Sequence, residues 1–134
     1  MDSKNIKFVE IKDFFHLCGA SYEIVEKFGQ LIATGIIDPN NIRLITINYD
    51  TSKGNIEKGP VHIYFSNEIA VYLNLTAGYG GSGPKDLIKI LELCNISFDK
   101  SDILTPQSQV NLKYCKGVDV YQFKNMDGTY EYSM

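Results

Sequence analysis

The sequence predicts an α+β fold in which a mostly antiparallel β-sheet carries two main helices on one face, all in a single domain over residues 1–134. Three observations lead there. Apolar and polar residues alternate with period 2 in three successive segments between Ile42 and Thr76, the pattern of a strand meander. Apolar residues at helical spacing occur in two main segments, Ser21 to Ile32 and Pro84 to Cys94. A length of 134 residues suits one domain, which buries about two-thirds of its unfolded surface without needing metal or disulfides.

Taken in order, NIKFVEI reads as a short strand, and Asp13 is placed to cap a helical turn, FFHLC, that stops at Gly19. Ser21 offers an N-cap for the first main helix, whose Ile24, Val25, Phe28, Leu31 and Ile32 share one face; Gly35 and the DPNN turn end it. IRLITINYD has apolar residues on both faces and so predicts a central strand. After the polar loop TSKGNIEKGP, VHIYF sets Val61, Ile63 and Phe65 against His62 and Tyr64. A short SNE turn leads to IAVYLNLT, where Ile69, Val71, Leu73 and Leu75 alternate with Ala70, Tyr72, Asn74 and Thr76. Pro84 at the first helical position, Gly83 or Ser82 as N-cap and Asp86 in the first turn open the second helix, with Leu87, Ile88, Ile90, Leu91 and Cys94 as its buried stripe. The remainder reads as strands, QVNLKYC, GVDVYQFKN and TYEYS, the last two joined by a Met-Asp-Gly hairpin turn.

Composition narrows the function classes. The chain is 44% apolar and 22% charged, with no internal repeat or long single-sign charge run, which are globular values. No apolar run approaches the roughly 18 residues of a membrane span, and the first residues lack the pattern of a signal peptide, so no membrane partner and a cytoplasmic location are expected. Cys18, Cys94 and Cys115 form neither a CxxC pair nor a disulfide framework and read as reduced core residues. A net charge of −3 with Arg43 as the single arginine argues against nucleic acid. The abundance of Ile, Lys and Asn suggests an AT-rich coding genome, that of a low-GC bacterium or its phage. No zinc spacing, HExxH or EF-hand pattern occurs, and no cofactor is expected.

One stretch resembles chemistry. Gly78 to Gly83 reads as G-x-G-x-x-G between a strand and a helix, with Asp99 about twenty residues on, the dinucleotide-binding spacing. A doubly wound sheet does not follow, because the motif comes after a meander and only one helix remains. A P-loop and a nucleophile elbow both fail at Pro84. What remains is general: Gly80, Gly81, Ser82, Gly83 and Lys85 are placed to cradle a phosphate or carboxylate at a helix N-terminus, with Tyr79 stacking on a ring. The competing reading is a tight corner between strand and helix.

Catalytic candidates are thin. His62 and His16 are the only histidines, and each lies among apolar neighbours, where a structural role is commoner than base catalysis. His62, Ser82 and Asp99 make a triad only on paper. The nine tyrosines carry more weight. Tyr64, Tyr72, Tyr121, Tyr130 and Tyr132 fall on the less apolar strand faces, and tyrosine gives contact area with a polar tip at low entropy cost. Tyr64, Tyr72 and Tyr121 are the expected interface residues.

Two functions of different class follow. The first is a non-catalytic cytosolic binding protein that blocks a protein partner, a toxin or defence protein, as an immunity or antidefence inhibitor would. The second is a sensor or sponge that captures a phosphate-bearing, nucleotide-like small molecule at the Gly78–Lys85 loop. Formation of a homo-oligomer stays open under both.

Overall fold

A computed structural model describes residues 6–48, 59–78, 80–105, 111–117 and 119–133. It is α+β, with eight strands in two sheets and three α-helices among the described residues. The larger sheet is built on the predicted meander: β3 (Ile42–Asn48), β4 (Val61–Phe65) and β5 (Ile69–Leu73) pair antiparallel in sequence order. β2 (Asp13–Leu17) adds in parallel beside β5, and β6 (Asn111–Cys115) adds antiparallel beside β3, giving the order β2-β5-β4-β3-β6. The loop from Thr51 to Lys58 lies outside the described residues.

The helix layer covers one face of this sheet. α1 (Ser21–Ala33) and α2 (Ser82–Leu93) pack against each other, and short α3 (Lys100–Leu104) packs on α2. Their apolar stripes, Ile24 and Phe28 from α1 and Leu87, Ile88, Ile90 and Leu91 from α2, meet Ile45, Ile47, Val61, Ile63, Phe65, Val71 and Leu73 in the main core. α1 is capped from Ala20, one residue before the expected Ser21, and the Ala20 N–H donates to the Glu23 carboxylate at 3.3 Å.

Two expectations are corrected. FFHL is a strand and not a helical turn, with Cys18 just past its end: Phe15 and Leu17 turn to the helix side while Phe14 and His16 turn away, a period of 2, and Asp13 pairs with Ile69 instead of capping. The segment after α2, for which the sequence predicts no element, forms α3 with Asp99 as its N-cap. Cys94 alone is a core cysteine; Cys18 and Cys115 are exposed.

The second face of the larger sheet is also covered, which a single sheet with helices on one side does not provide for. β1 (Ile6–Glu10), β7 (Val120–Lys124) and β8 (Tyr130–Tyr132) form a three-stranded sheet in the order β1-β7-β8, with β1 parallel to β7 and β7–β8 the expected hairpin. Val9, Ile11, Tyr121 and Phe123 from this side pack on Leu44, Tyr64, Ala70 and Tyr72 in a second core. The layers are therefore helices, large sheet, small sheet. The chain crosses between the sheets at Ile11 and Lys12, where successive N–H groups donate to Lys124 in the small sheet and to Glu68 in the large one, each at 2.9 Å. Glu68 sits at φ +72, and its carbonyl also takes the Asp13 N–H at 3.3 Å.

Gly59, before β4, has φ +80, and a Cβ there would stand 2.6 Å from the Leu73 carbonyl oxygen. At Gly29, inside α1, an added Cβ would meet nothing within 4 Å. Urea unfolding should therefore show Gly59→Ala losing about 2 kcal/mol or more, since both the left-handed backbone and the contact with β5 oppose it. Gly29→Ala should gain up to about 1 kcal/mol by helix propensity and a less flexible unfolded chain.

Candidate functional site

The glycine corner begins where β5 leaves the sheet. Gly78 has φ +94, and its N–H donates to the Ile103 carbonyl of α3 at 2.7 Å, which ties the loop to the helix layer. Tyr79 lies outside the described residues. Gly80 is exposed, and an added Cβ there would meet nothing within 4 Å. Gly81 is the N-cap of α2 at φ −88, an ordinary extended conformation, and no side chain caps the helix. Ser82 is exposed, Gly83 and Pro84 are buried, and Lys85 is exposed with its N–H directed to the Gly81 carbonyl at 3.3 Å. α2 thus starts two residues ahead of the expected position, with Pro84 third; its missing N–H still falls among the unpaired donors of the first turn. Asp86 is the fifth helical residue, not part of the first turn, and is buried in an ion pair with Lys89 at 3.2 Å.

Asp99 does not face this corner as a ribose ligand would. Its Oδ1 accepts the Ser101 N–H at 3.0 Å and the Ser101 hydroxyl at 2.8 Å, and these bonds hold its carboxyl below the usual range. His62 is further removed. It projects from β4 on the same side as Tyr64, toward the small sheet, whereas Ser82 and Asp99 belong to the helix layer on the opposite side. The large sheet stands between the members of the paper triad.

His62 is instead part of a packed polar cluster. Its Nε2 lies 3.0 Å from the Gly59 carbonyl, which only accepts, so Nε2 carries a proton, and its Nδ1 lies 3.4 Å from the Tyr64 hydroxyl. Its ring meets Tyr72 edge-on at 4.8 Å. Tyr72 donates to Asn125 Oδ1 at 3.1 Å, and Asn125 donates to the Thr129 hydroxyl at 3.0 Å. Tyr64 stacks on Phe123 at 5.1 Å and Phe123 on Tyr121 at 5.7 Å. Arg43 joins the sheets here, donating from Nε to the Tyr121 hydroxyl at 3.4 Å with its guanidinium over that ring.

Tyr64, Tyr72 and Tyr121, expected as an exposed interface, are accordingly buried. The physical reason is the small sheet, which lies over the face they occupy. Burial pushes the Tyr72 phenol up to about 12, with the Asp127 charge adding to it, and burial drives the Tyr64 phenol higher still.

Three exposed aromatic residues, Phe8, Tyr130 and Tyr132, share the far side of the small sheet. Phe8, Gln122 and Tyr132 stand side by side across its three strands, as do Glu10, Lys124 and Tyr130; Ile6 and Val120 complete the face. Ile6 is 58% exposed, Phe8 55%, Tyr130 45% and Tyr132 42%, around a buried Val120. Gln122 Nε2, on the central strand, donates to the Tyr132 hydroxyl at 3.3 Å. At the Glu10–Lys124 end the face runs into an open cleft of about 520 Å³, also lined by Lys12, Asn125, Met126 and Asp127. Tyr130 and Tyr132 stand out as alternating tyrosines in TYEYS, but their row with Phe8 depends on β1 pairing with β7 from the other end of the chain. Among the described residues no group of three or more His, Cys, Asp or Glu side chains is arranged to hold a metal ion.

The buried phenols set an alkaline limit. A group whose folded pKa is raised stabilises the fold fully below its unfolded value and loses that contribution as pH rises through the folded one. Stability should therefore fall between pH 10 and about 12 for Tyr72, with tyrosinate absorbance rising in step with unfolding. Tyr72→Phe, which leaves Asn125 Oδ1 without this donor, should cost about 1–2 kcal/mol in urea and reduce the alkaline loss. No protein-family model, curated protein or solved structure matches this chain.

Proposed function

We propose that this chain is a non-catalytic binding protein that sequesters a protein partner against the outer face of its three-stranded sheet, as an immunity or antidefence inhibitor blocks a toxin or defence protein. The observation that carries this reading is the face itself: Ile6, Phe8, Tyr130 and Tyr132 are exposed together on one side of a small sheet whose other side is fully used in the fold. Exposed apolar side chains that are scattered need no explanation, whereas contiguous ones mark interaction surfaces. Ile6 and Phe8 on one edge strand and Tyr130 and Tyr132 on the other flank Gln122 and Lys124 of the central strand, a mixture of aromatic and polar groups common at protein interfaces, and the balance of charge between Glu10 and Lys124 suits a protein surface better than a polyanion. The cleft beside Met126 supplies a recess for one side chain of the partner.

The test is affinity purification from the native host with Phe8→Asp, Tyr132→Asp and a control, Tyr22→Asp, altered on α1 where Tyr22 is 62% exposed. One co-purifying protein should be lost with the first two variants and kept with the third, and truncating Tyr132 to Ala should weaken the purified complex by about 30-fold or more. A partner retained by both face variants would refute this surface.

A second reading, capture of a phosphate-bearing, nucleotide-like ligand at the glycine corner, is favoured by one observation. Neither the backbone angle at Gly81 nor the space around Gly80 requires glycine, and α2 has no side-chain cap, so close approach of an external anion would account for both. Native mass spectrometry of the gently purified protein should then show an excess of a few hundred daltons, typical of drug-sized ligands, that Gly81→Val and Lys85→Glu abolish; a bare chain mass would count against it.

A further inference from the structure

We propose that Cys18 is the reactive thiol of this protein, with His16 as its proton acceptor, and that it undergoes exchange with low-molecular-weight disulfides. The assignment of FFHL to an extended strand is what brings the pair together. In a helical turn positions 16 and 18 would diverge, whereas here His16 lies in β2 and Cys18 is the first residue past its end, close enough for their side chains to meet. The Cys18 Sγ lies 3.3 Å from His16 Nε2, and both residues are exposed at the edge of the large sheet, where β2 has a neighbour on one side only.

The backbone around the pair is fixed from two sides. The Leu17 carbonyl accepts the Asn74 N–H at 3.1 Å, and the Cys18 carbonyl accepts from Lys27 Nζ at 3.0 Å. The ionisable groups around the pair are Lys27 and Glu23 of α1, whose carboxylate lies beside Gly19, and Tyr72, the cross-strand partner of His16. His16 Nε2 is within reach of the thiol proton, and the thiolate that its transfer leaves is the form that attacks.

The other two cysteines are internal comparisons. Cys94 is buried, and burial pushes its thiol up to about 12. Cys115 is exposed, but its Sγ donates to the Ser133 carbonyl at 3.0 Å, a bond only the protonated thiol can make, and partial burial raises it as well. Cys18 is thus the one described cysteine whose hydrogen-bond partner can take a proton.

The exchange balances without a further reagent. His16 Nε2 takes the thiol proton, the Cys18 sulfur attacks one sulfur of the disulfide, the S–S bond breaks, and the second sulfur leaves as a thiolate that recovers the proton from His16. Cys18 is oxidised to a mixed disulfide as one half of the reagent is reduced to a thiol.

The experiment treats the full chain with excess oxidised glutathione and follows each cysteine by peptide mass. Cys18 should react about tenfold faster than Cys115, with Cys94 silent until the protein is denatured. His16→Ala should slow Cys18 about tenfold at neutral pH and return its rate profile to that of an unassisted thiol, with a midpoint near pH 8.5. Equal rates at Cys18 and Cys115, or a rate and profile unchanged by His16→Ala, would overturn the assignment. Cys94 reports folding in each sample; where His16→Ala exposes it, His16→Asn provides the same comparison with the same two outcomes.

Discussion

The parallel pairing of β1 with β7 is the contact on which the remainder of the structure depends. The large sheet is apolar on both faces, and the helices cover only one. Leu44, Tyr64, Ala70 and Tyr72 would face water unless something covered the other. The cover is a small sheet that exists only because a strand from the beginning of the chain lies beside one near its end. That closure is entropically costly over so long a loop, and the second core it completes supplies the compensation. The stacked rings of Tyr64, Phe123 and Tyr121, and the bonds from Tyr72 to Asn125, are the local terms of that compensation.

The same arrangement explains where polar groups are placed. Side chains of β6 reach the backbone of β8, with Lys113 Nζ 3.0 Å from the Tyr132 carbonyl and the Cys115 thiol on that of Ser133. At the opposite side of the sandwich, Glu68 accepts two N–H groups with one carbonyl in a conformation that side chains rarely adopt. Between these sites, the sole arginine braces the irregular start of β3, donating to the Asn40 and Ile42 carbonyls at 2.7 and 2.8 Å while its guanidinium lies over Tyr121. His62, which the sequence offers as candidate chemistry, is occupied between the two sheets by Gly59, Tyr64 and Tyr72.

Elements whose pattern is local were legible. The meander, the two main helices with their buried stripes and the β7–β8 hairpin follow from periodicity within ten or so residues. β2 was not, because five residues between an aspartate and a glycine fit a capped turn as well as a strand, and only pairing with β5 decides between them. The second sheet was invisible for the same reason. One signal did point to it: IAVYL and VHIYF carry bulky residues on both faces, the mark of strands covered on both sides. Assigning the tyrosine side to solvent left out the small sheet that buries Tyr64, Tyr72 and Tyr121. At the glycine corner the positions were legible and their geometry was not, since Gly78 alone of Gly78 and Gly81 needs positive φ.

The layer order also has a consequence for biosynthesis. A ribosome delivers all five strands of the large sheet, and the helices that cover its first face, before it delivers β7 and β8. During that interval the second face is an uncovered aromatic surface, and β1 has no strand to pair with. Nascent chains at this stage carry the two features that invite misassembly, open apolar area and an unpaired strand edge. The hairpin that completes the fold therefore also ends the nascent chain's exposure to unwanted partners.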